Sequence, residues 1–255
     1  MTGFFNLFCH DMKRRMKDSF LIGYNIIFPI LMIVLLGYLS SESYGRSFTG
    51  YQYYSIVILP FCIAMAVITA AYTGKEDTYK KTALRFLFAP ISYAQIVAAK
   101  LFSCTLVISC CNTLVLIFAF LVFKLPVIAY ILPITALLTA ETFAVCAIGL
   151  FIGLGMKNFV LMKNILNIPI CGAAVLAGAF FPLGTFNSRL EFIIKLSPLT
   201  WVNRSMFLCI YDKDLRLLWQ TASVFILVGI IFTLLAVRLF KKEEFIHGDL
   251  PGYDK

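Results

Sequence analysis

Residues 19–41 read SFLIGYNIIFPILMIVLLGYLSS, a run of 23 residues without a charged side chain. A bilayer core about 30 Å thick is crossed by roughly 20 helical residues at about 1.5 Å each, so this run predicts a membrane span. Five later runs resemble it, and only one of them contains a charge, Glu141. The sequence predicts six transmembrane helices, at about 20–39, 53–73, 101–122, 131–154, 164–183 and 217–237.

The composition is that of a chain whose solvent is mostly lipid. Of the 255 residues, 61% are hydrophobic and 14% are charged, whereas soluble domains average about 45–50% apolar and roughly 25% charged residues. A membrane β-barrel would show alternating segments of about ten residues instead of continuous apolar runs. We therefore expect an all-α integral membrane protein. The eight cysteines form no C-x-x-C pair and the two histidines lie near opposite termini, so no metal site is expected.

The basic residues predict the topology. Six spans place both termini on one side, and the segments on that side carry 15 of the 22 Lys and Arg residues. Cytoplasmic loops attract such an excess, so both termini are expected in the cytoplasm of a multi-pass cell-membrane protein. The formal charge of +9 then reflects contact with anionic lipid and not binding of nucleic acid. The predicted parts are a cytoplasmic helix at 1–19, a transmembrane domain at 20–239 and a cytoplasmic tail at 240–255.

Residues 3–17 predict an amphipathic helix before the first span. Phe4, Phe8, Met12 and Met16 repeat at every fourth position, and basic residues cover the rest of the surface. Such a helix is suited to lie in the inner membrane interface. The simpler alternative is a basic flank that only sets the orientation of the chain.

The segment 74–92 carries charges of both signs together with aromatic residues, and Pro90 disfavours helix at the residue before it. A short cytoplasmic helix of this kind is a candidate docking surface for a soluble partner. The alternative is an interfacial loop that binds only lipid.

Glu141 is the only carboxylate inside a predicted span. An ionised carboxylate is costly in the bilayer, so Glu141 should face protein or water. It is interpreted either as a substrate or proton contact, or as a protonated or hydrogen-bonded structural residue. Gly149 and Gly153 form a G-x-x-x-G pair further along the same span, which permits close approach of another helix.

The predicted fifth span ends in Leu176-Ala177-Gly178-Ala179-Phe180-Phe181-Pro182-Leu183. Small residues followed by two aromatic rings suggest tight packing and then a hydrophobic constriction, while an interfacial aromatic belt is the alternative. Residues 184–216 are too apolar for a solvated loop, and they predict short re-entrant helices at the outer interface that are broken at Pro198.

Motifs for catalysis do not occur in the sequence. There is no G-x-x-x-x-G-K-[ST] phosphate loop, no G-x-S-x-G and no H-E-x-x-H. The chain is therefore not expected to be an enzyme, and any ATP hydrolysis would take place on a separate subunit.

These features together resemble the membrane permease subunits of ABC-2 type exporters. The resemblance covers nearly the whole chain and rests on the span layout with its basic N-terminal helix and on three motifs. In the segment after span two it is carried by Glu76, Thr82, Leu87, Ala89-Pro90-Ile91-Ser92 and Lys100. Near the end of span five it is carried by Ala177-Gly178-Ala179-Phe180-Phe181-Pro182, followed by Leu196-Ser197-Pro198-Leu199-Thr200. Lys81 stands where the family usually has glycine.

The resemblance implies a half-transporter in which two permeases, identical or homologous, join two ATPase subunits that hold ATP and magnesium. The coupling helix, 76–88, would dock on the ATPase through Glu76, Asp77, Lys80, Lys81 and Arg85, with Pro90 after it. The N-terminal segment would be the connecting helix, with Lys13, Arg14, Arg15 and Lys17. The translocation path and outer gate would include Phe61, Met65, Phe180, Phe181 and Pro182.

The expected function is ATP-driven export by alternating access. Span two offers mainly apolar side chains to the path, so the cargo should be hydrophobic or amphipathic, such as a drug, lipid or peptide. The rival interpretation is an ATPase-independent channel or proton-coupled carrier that uses Glu141.

Overall fold

The computed structural model describes residues 2–44, 48–79, 92–155, 159–180, 194 and 196–238, and these contain helices without any β-strand. The predicted all-α membrane fold is confirmed. The helices are α1 (Thr2–Met16), α2 (Ser19–Leu39), α3 (Gly50–Met65), α4 (Val67–Tyr79), α5 (Tyr93–Phe123), α6 (Ile131–Gly155), α7 (Phe159–Leu176), α8 (Pro198–Phe207) and α9 (Arg216–Arg238). A π-helical turn, Leu208–Asp212, continues α8.

Five helical segments among the described residues are long and apolar enough to cross a membrane: Ser19–Leu39, Gly50–Asp77, Tyr93–Phe123, Ile128–Gly155 and Arg216–Arg238. The count of six is not confirmed, because the apolar part of the predicted fifth span, Asn164–Leu176, rises only about 20 Å. Helix α7 ends at Leu176 instead of near 183. The chain turns there because Gly178 adopts φ 74°, a left-handed conformation that favours glycine and commonly ends a helix.

Side-chain caps explain where several helices begin. The Asp18 carboxylate accepts hydrogen bonds from the backbone N–H groups of Phe20 and Leu21, which sets the start of α2. Ser92 and Gln95 form a reciprocal capping box at the start of α5, in which each side chain accepts from the other's backbone N–H. The Ser92 of the sequence motif is therefore the residue that starts span three. Helix α8 begins with Pro198 in its first turn, where the missing N–H of proline has no cost.

Span two consists of two helices that meet at Ala66. Helix α3 contains Pro60 and ends at Met65, and α4 continues from Val67 to Tyr79. The predicted span ended at 73, and the predicted coupling helix began at 76. In the structure, residues 76–79 belong to the last turn of α4, and the remainder of the predicted coupling helix lies outside the described residues.

The two central segments are Gly50–Asp77 and Ile128–Gly155. In an apolar stretch of 18 residues, 78% of the residues are buried in each of them, compared with 28% in the first span and 22% in the last. Helices α4 and α9 both pack along α6, and α1 packs along α5. Gly149 and Gly153 make the contact with α4. A Cβ on Gly149 would lie 2.6 Å from the carbonyl oxygen of Val67, and one on Gly153 would collide with the carbonyl oxygen of Ala71. The G-x-x-x-G pair therefore places the backbones of α4 and α6 in direct contact.

Candidate functional site

Four charged side chains form a cluster at the end of the bundle where α1 lies. Arg14 of α1 donates from Nε to Glu76 Oε1 over 2.7 Å and from Nη1 to Asp77 Oδ1 over 2.8 Å. Lys100 of α5 pairs with Asp77 Oδ2 and also donates to the backbone carbonyl of Thr73 over 3.1 Å. We call Arg14, Glu76, Asp77 and Lys100 the charge cluster. It joins α1, the end of span two and the beginning of span three.

Arg15 extends the same arrangement on the other side of α1. Its Nε donates to Ser103 Oγ over 3.0 Å and its Nη1 donates to Thr73 Oγ1 over 2.5 Å. Arg15 is buried, whereas Lys13 and Lys17 are exposed. The predicted basic face of α1 is therefore divided, because consecutive helical residues point in directions about 100° apart. Lys13 and Lys17 remain available to the membrane surface, whereas Arg14 and Arg15 bind the other helices of the bundle.

Electrostatics explain why these charges are stable when buried. Asp77 is fully buried and Lys100 is 2% exposed, and a buried charge is tolerated when it is paired and hydrogen-bonded. Burial opposes the positive charge of Arg14, but hydrogen bonds and attraction from Asp77 and Glu76 outweigh it and raise the pKa of the guanidinium. Removal of one partner from a buried ion pair typically costs about 3–5 kcal/mol of stability.

Glu76 and Asp77 were expected among the residues that couple the chain to an ATPase, and this role stays a prediction. The structure places both carboxylates in the interior of the bundle, directed to α1 and α5. The reason is that Arg14 and Lys100 approach from two neighbouring helices. The other predicted coupling residues, Lys80, Lys81, Arg85 and Pro90, lie outside the described residues. The charge cluster therefore holds the helices on both sides of that segment.

A second group of contacts surrounds the turn of residues 177–180, which follows α7. The Tyr53 hydroxyl donates to the Gly178 carbonyl over 3.0 Å, and the Tyr54 hydroxyl donates to the Phe180 carbonyl over 3.1 Å. The rings of Phe61 and Phe180 meet edge to face with centroids 5.5 Å apart. Span two thus binds this 177–180 turn through three aromatic side chains.

Helix α8 binds the same region from the other side. Asn203 Nδ2 donates to the Ala177 carbonyl over 3.0 Å, and Ser197 Oγ donates to the Ala173 carbonyl over 3.2 Å. The structure therefore brings the predicted gate residues Phe61 and Phe180 into contact. Met65 packs, partly buried, against the core. Phe181 and Pro182 lie outside the described residues.

Glu141 lies near the middle of α6 and is 1% exposed. Its Oε2 atom has no hydrogen-bond partner among the described residues. The side chain lines a cavity of about 320 Å³ between span two, α6, α7, α8 and α9, and all the other lining residues are apolar. No group of three or more potential metal ligands occurs in the described part of the chain. Glu141 therefore differs from the charge cluster in its surroundings.

The model of the family described as ABC-2 type transporter matches residues 2–211. This chain belongs to the ABC-2 type transporter family. No curated protein matches the chain at a significant level. The matched range extends from α1 to the π-helical turn, so the ABC-2 domain contains the charge cluster, Glu141 and the 177–180 turn. The ABC-2 membrane domain is a transmembrane permease component and not itself an ATPase, and the chain is accordingly a multi-pass permease of an ABC-type transporter.

The sequence did not predict the roles of Lys100, Thr73 and Ser103 in binding the charged side chains at this end of the bundle. Lys100 was noted only as part of the ABC-2 motif, and Thr73 and Ser103 were not singled out. The available signal was that Lys100 is the only charged residue in α5 and lies two turns from its beginning. A cation at that position in a membrane helix needs an anionic partner. Asp77 was a candidate, because it lies before residues 80–91, which connect α4 to α5. Thr73 and Ser103 carried no comparable signal, because hydroxyl residues are common in membrane helices.

Proposed function

We propose that this permease is the membrane half of an ATP-driven exporter that moves a hydrophobic or amphipathic cargo, such as a drug, lipid or peptide, out of the cytoplasm. The working unit contains two permeases, identical or homologous, and two ATPase subunits that carry ATP and magnesium. The α1 end of the bundle faces the cytoplasm, together with both termini. The distribution of basic residues and the membership of the ABC-2 family support this proposal.

The charge cluster is the observation that carries the proposal. Residues 80–91 connect α4 to α5, and Asp77 pairs with Lys100 from one side of this segment to the other. Arg14 adds α1 to the same unit. A force applied to the segment by an ATPase subunit would therefore move three helices together instead of bending one loop. In this view Glu76 and Asp77 act in coupling by positioning the helices, while Lys80, Lys81 and Arg85 supply the docking contacts.

The break at Ala66 gives span two a place to bend. Helix α4 is fixed to α6 by the backbone contact at Gly149 and Gly153, and α3 is fixed to the 177–180 turn by Tyr53, Tyr54 and Phe61. Movement of α4 at the cytoplasmic end would change the angle between these two halves. The Phe61–Phe180 contact would open or close as a result. ATP drives such a switch through its differential affinity for the two states.

The proposal is tested with the complex purified from its native membrane. We expect an ATPase subunit to co-purify, and we expect proteoliposomes of the complex to transport cargo only when ATP is supplied. Arg85→Ala should reduce both the ATPase stimulation and the transport, whereas Arg46→Ala, in the loop on the opposite side, should leave both unchanged. Equal transport by wild type and Arg85→Ala would contradict the docking assignment. Transport by the permease alone would favour the ATPase-independent carrier instead.

A further inference from the structure

The residues that line the cavity beside Glu141 suit a ligand that is apolar except for one polar group. Eleven of its twelve lining residues are apolar, and Glu141 is the exception. Its volume of about 320 Å³ falls at the small end of the range of about 300–1,000 Å³ that small-molecule sites occupy. A ligand that fills it would bury an apolar body and meet a single carboxyl group.

The carboxyl group of Glu141 has unused capacity for hydrogen bonding. Its Oε2 atom is buried and lacks a partner in the described part of the chain. The buried cations Arg15 and Lys100 and the half-buried Arg14 bind Glu76, Asp77, Thr73 and Ser103 at the α1 end. An unpartnered buried carboxyl group is costly to keep. A donor from a ligand would remove that cost.

We propose that this cavity binds a lipophilic amine, whose ammonium group donates to Glu141 while its hydrocarbon body fills the apolar space. If the bound amine is the cargo, this proposal rests on the proposed function, and it restricts the cargo to cationic amphiphiles. A neutral ligand would offer Glu141 an uncharged hydrogen bond or none, and either is weaker than the charge-assisted hydrogen bond from an ammonium group. A carboxylate-bearing ligand would place two acids together in low dielectric, so the site selects for positive charge.

Three irregularities of the helices meet at this cavity. Ala64 and Val67 line it on either side of the break in span two, Pro169 lines it from within α7, and Pro198 lines it from the first turn of α8. A change in the angle of span two would therefore move one wall of the cavity relative to the others. The two states of the transporter would then differ in affinity for the amine, which is the condition for transport coupled to the switch.

The test compares two probes of nearly equal shape, 1-adamantanemethylamine and the neutral 1-adamantanemethanol. Binding to the purified full chain in phosphatidylcholine nanodiscs is measured by equilibrium dialysis, with empty nanodiscs used to subtract partition into lipid. Wild type should bind the amine about tenfold or more tightly than the alcohol, as expected for one charge-assisted hydrogen bond. Glu141→Gln should lower the affinity for the amine to that for the alcohol. The matched control is Glu42→Gln, which changes an exposed carboxylate between α2 and α3 and should have no effect.

A second variant keeps Glu141 and fills the cavity. Ala173→Leu should weaken the binding of both probes, because Ala173 lines the cavity and does not carry the charge. The proposal is overturned if wild type shows no preference for the amine, if Glu141→Gln retains that preference, or if Ala173→Leu leaves both affinities unchanged. The assay contains no ATPase, so these results do not bear on the exporter proposal. Binding of the amine by a chain that transports without ATPase would contradict the exporter and leave the site intact.

Discussion

Asp77 and Glu141 are both buried carboxylates in central helices, and their surroundings are opposite. Asp77 accepts from Arg14 and Lys100, so its charge is matched by two neighbouring helices. Glu141 lines an apolar cavity, and its Oε2 atom has no described partner. The paired charges connect α1, α4 and α5. The proposal for the cavity assigns the carboxyl group of Glu141, whose Oε2 atom has no described partner, to ligand binding.

The largest expected effect is a difference in the free energy of unfolding between variants of Asp77 and Glu141. Asp77→Asn removes the anion shared by Arg14 and Lys100, and this should lower the free energy of unfolding by about 3–5 kcal/mol. Glu141→Gln should leave it unchanged or raise it, because no described cation loses a partner. Thermal unfolding of the two variants in the same detergent measures the difference. An equal loss in both variants would contradict the comparison.

The next effect concerns the contact between α4 and α6, which would transmit movement from the charge cluster under the proposed function. Gly153→Ala places a methyl group against the backbone of Ala71, and the two helices can relieve this only by separating. We expect a loss of about 1–3 kcal/mol, the usual cost of overpacking, together with reduced ATP-dependent transport.

Gly172→Ala is the matched control for that substitution. A Cβ on Gly172 would have no atom within 4 Å among the described residues, so stability should stay the same or rise slightly because alanine favours helix. The contact between α4 and α6 would be unimportant if both alanine variants behaved alike in unfolding and in transport.

Much of this fold follows from the sequence, and the exceptions have physical causes. Uncharged runs locate the spans, because a charge inside lipid is costly. The uncharged run of span two ends before Lys75, Glu76 and Asp77, whereas helix α4 continues to Tyr79. Arg14 and Lys100 come from distant parts of the chain and stabilise that helix as far as Tyr79. Gly178 ended α7 early through a backbone conformation that hydropathy does not report.

The candidate site was predictable to a similar extent. Glu141 could be selected as the lone intramembrane carboxylate, and Phe61 and Phe180 could be assigned to one region through the resemblance to the ABC-2 family. The cavity beside Glu141 could not be foreseen, because it arises where five separate stretches of helix fail to fill the space between them. The inward direction of the half-buried Arg14 and the buried Arg15 was also unforeseen, since the sequence of α1 alone favours a basic face directed to lipid.

The smallest expected effect lies at the 177–180 turn, where neutral hydrogen bonds replace charges. Tyr54→Phe removes the donor to the Phe180 carbonyl and should cost about 0.5–1.5 kcal/mol. Transport should become leakier because the turn is held less firmly. Tyr38→Phe, at a side chain that is 69% exposed, is the control in the same unfolding and leak assays. A leak of the same size in both variants would contradict the assignment of the 177–180 turn to the gate.

The most direct test of the account is transport in proteoliposomes that contain the permease with or without its co-purified ATPase. The account predicts that cargo moves only when the ATPase and ATP are both present, and that Arg85→Ala abolishes most of this movement. Equal transport by the permease alone would contradict the account, because the charge cluster would then have no external force to transmit.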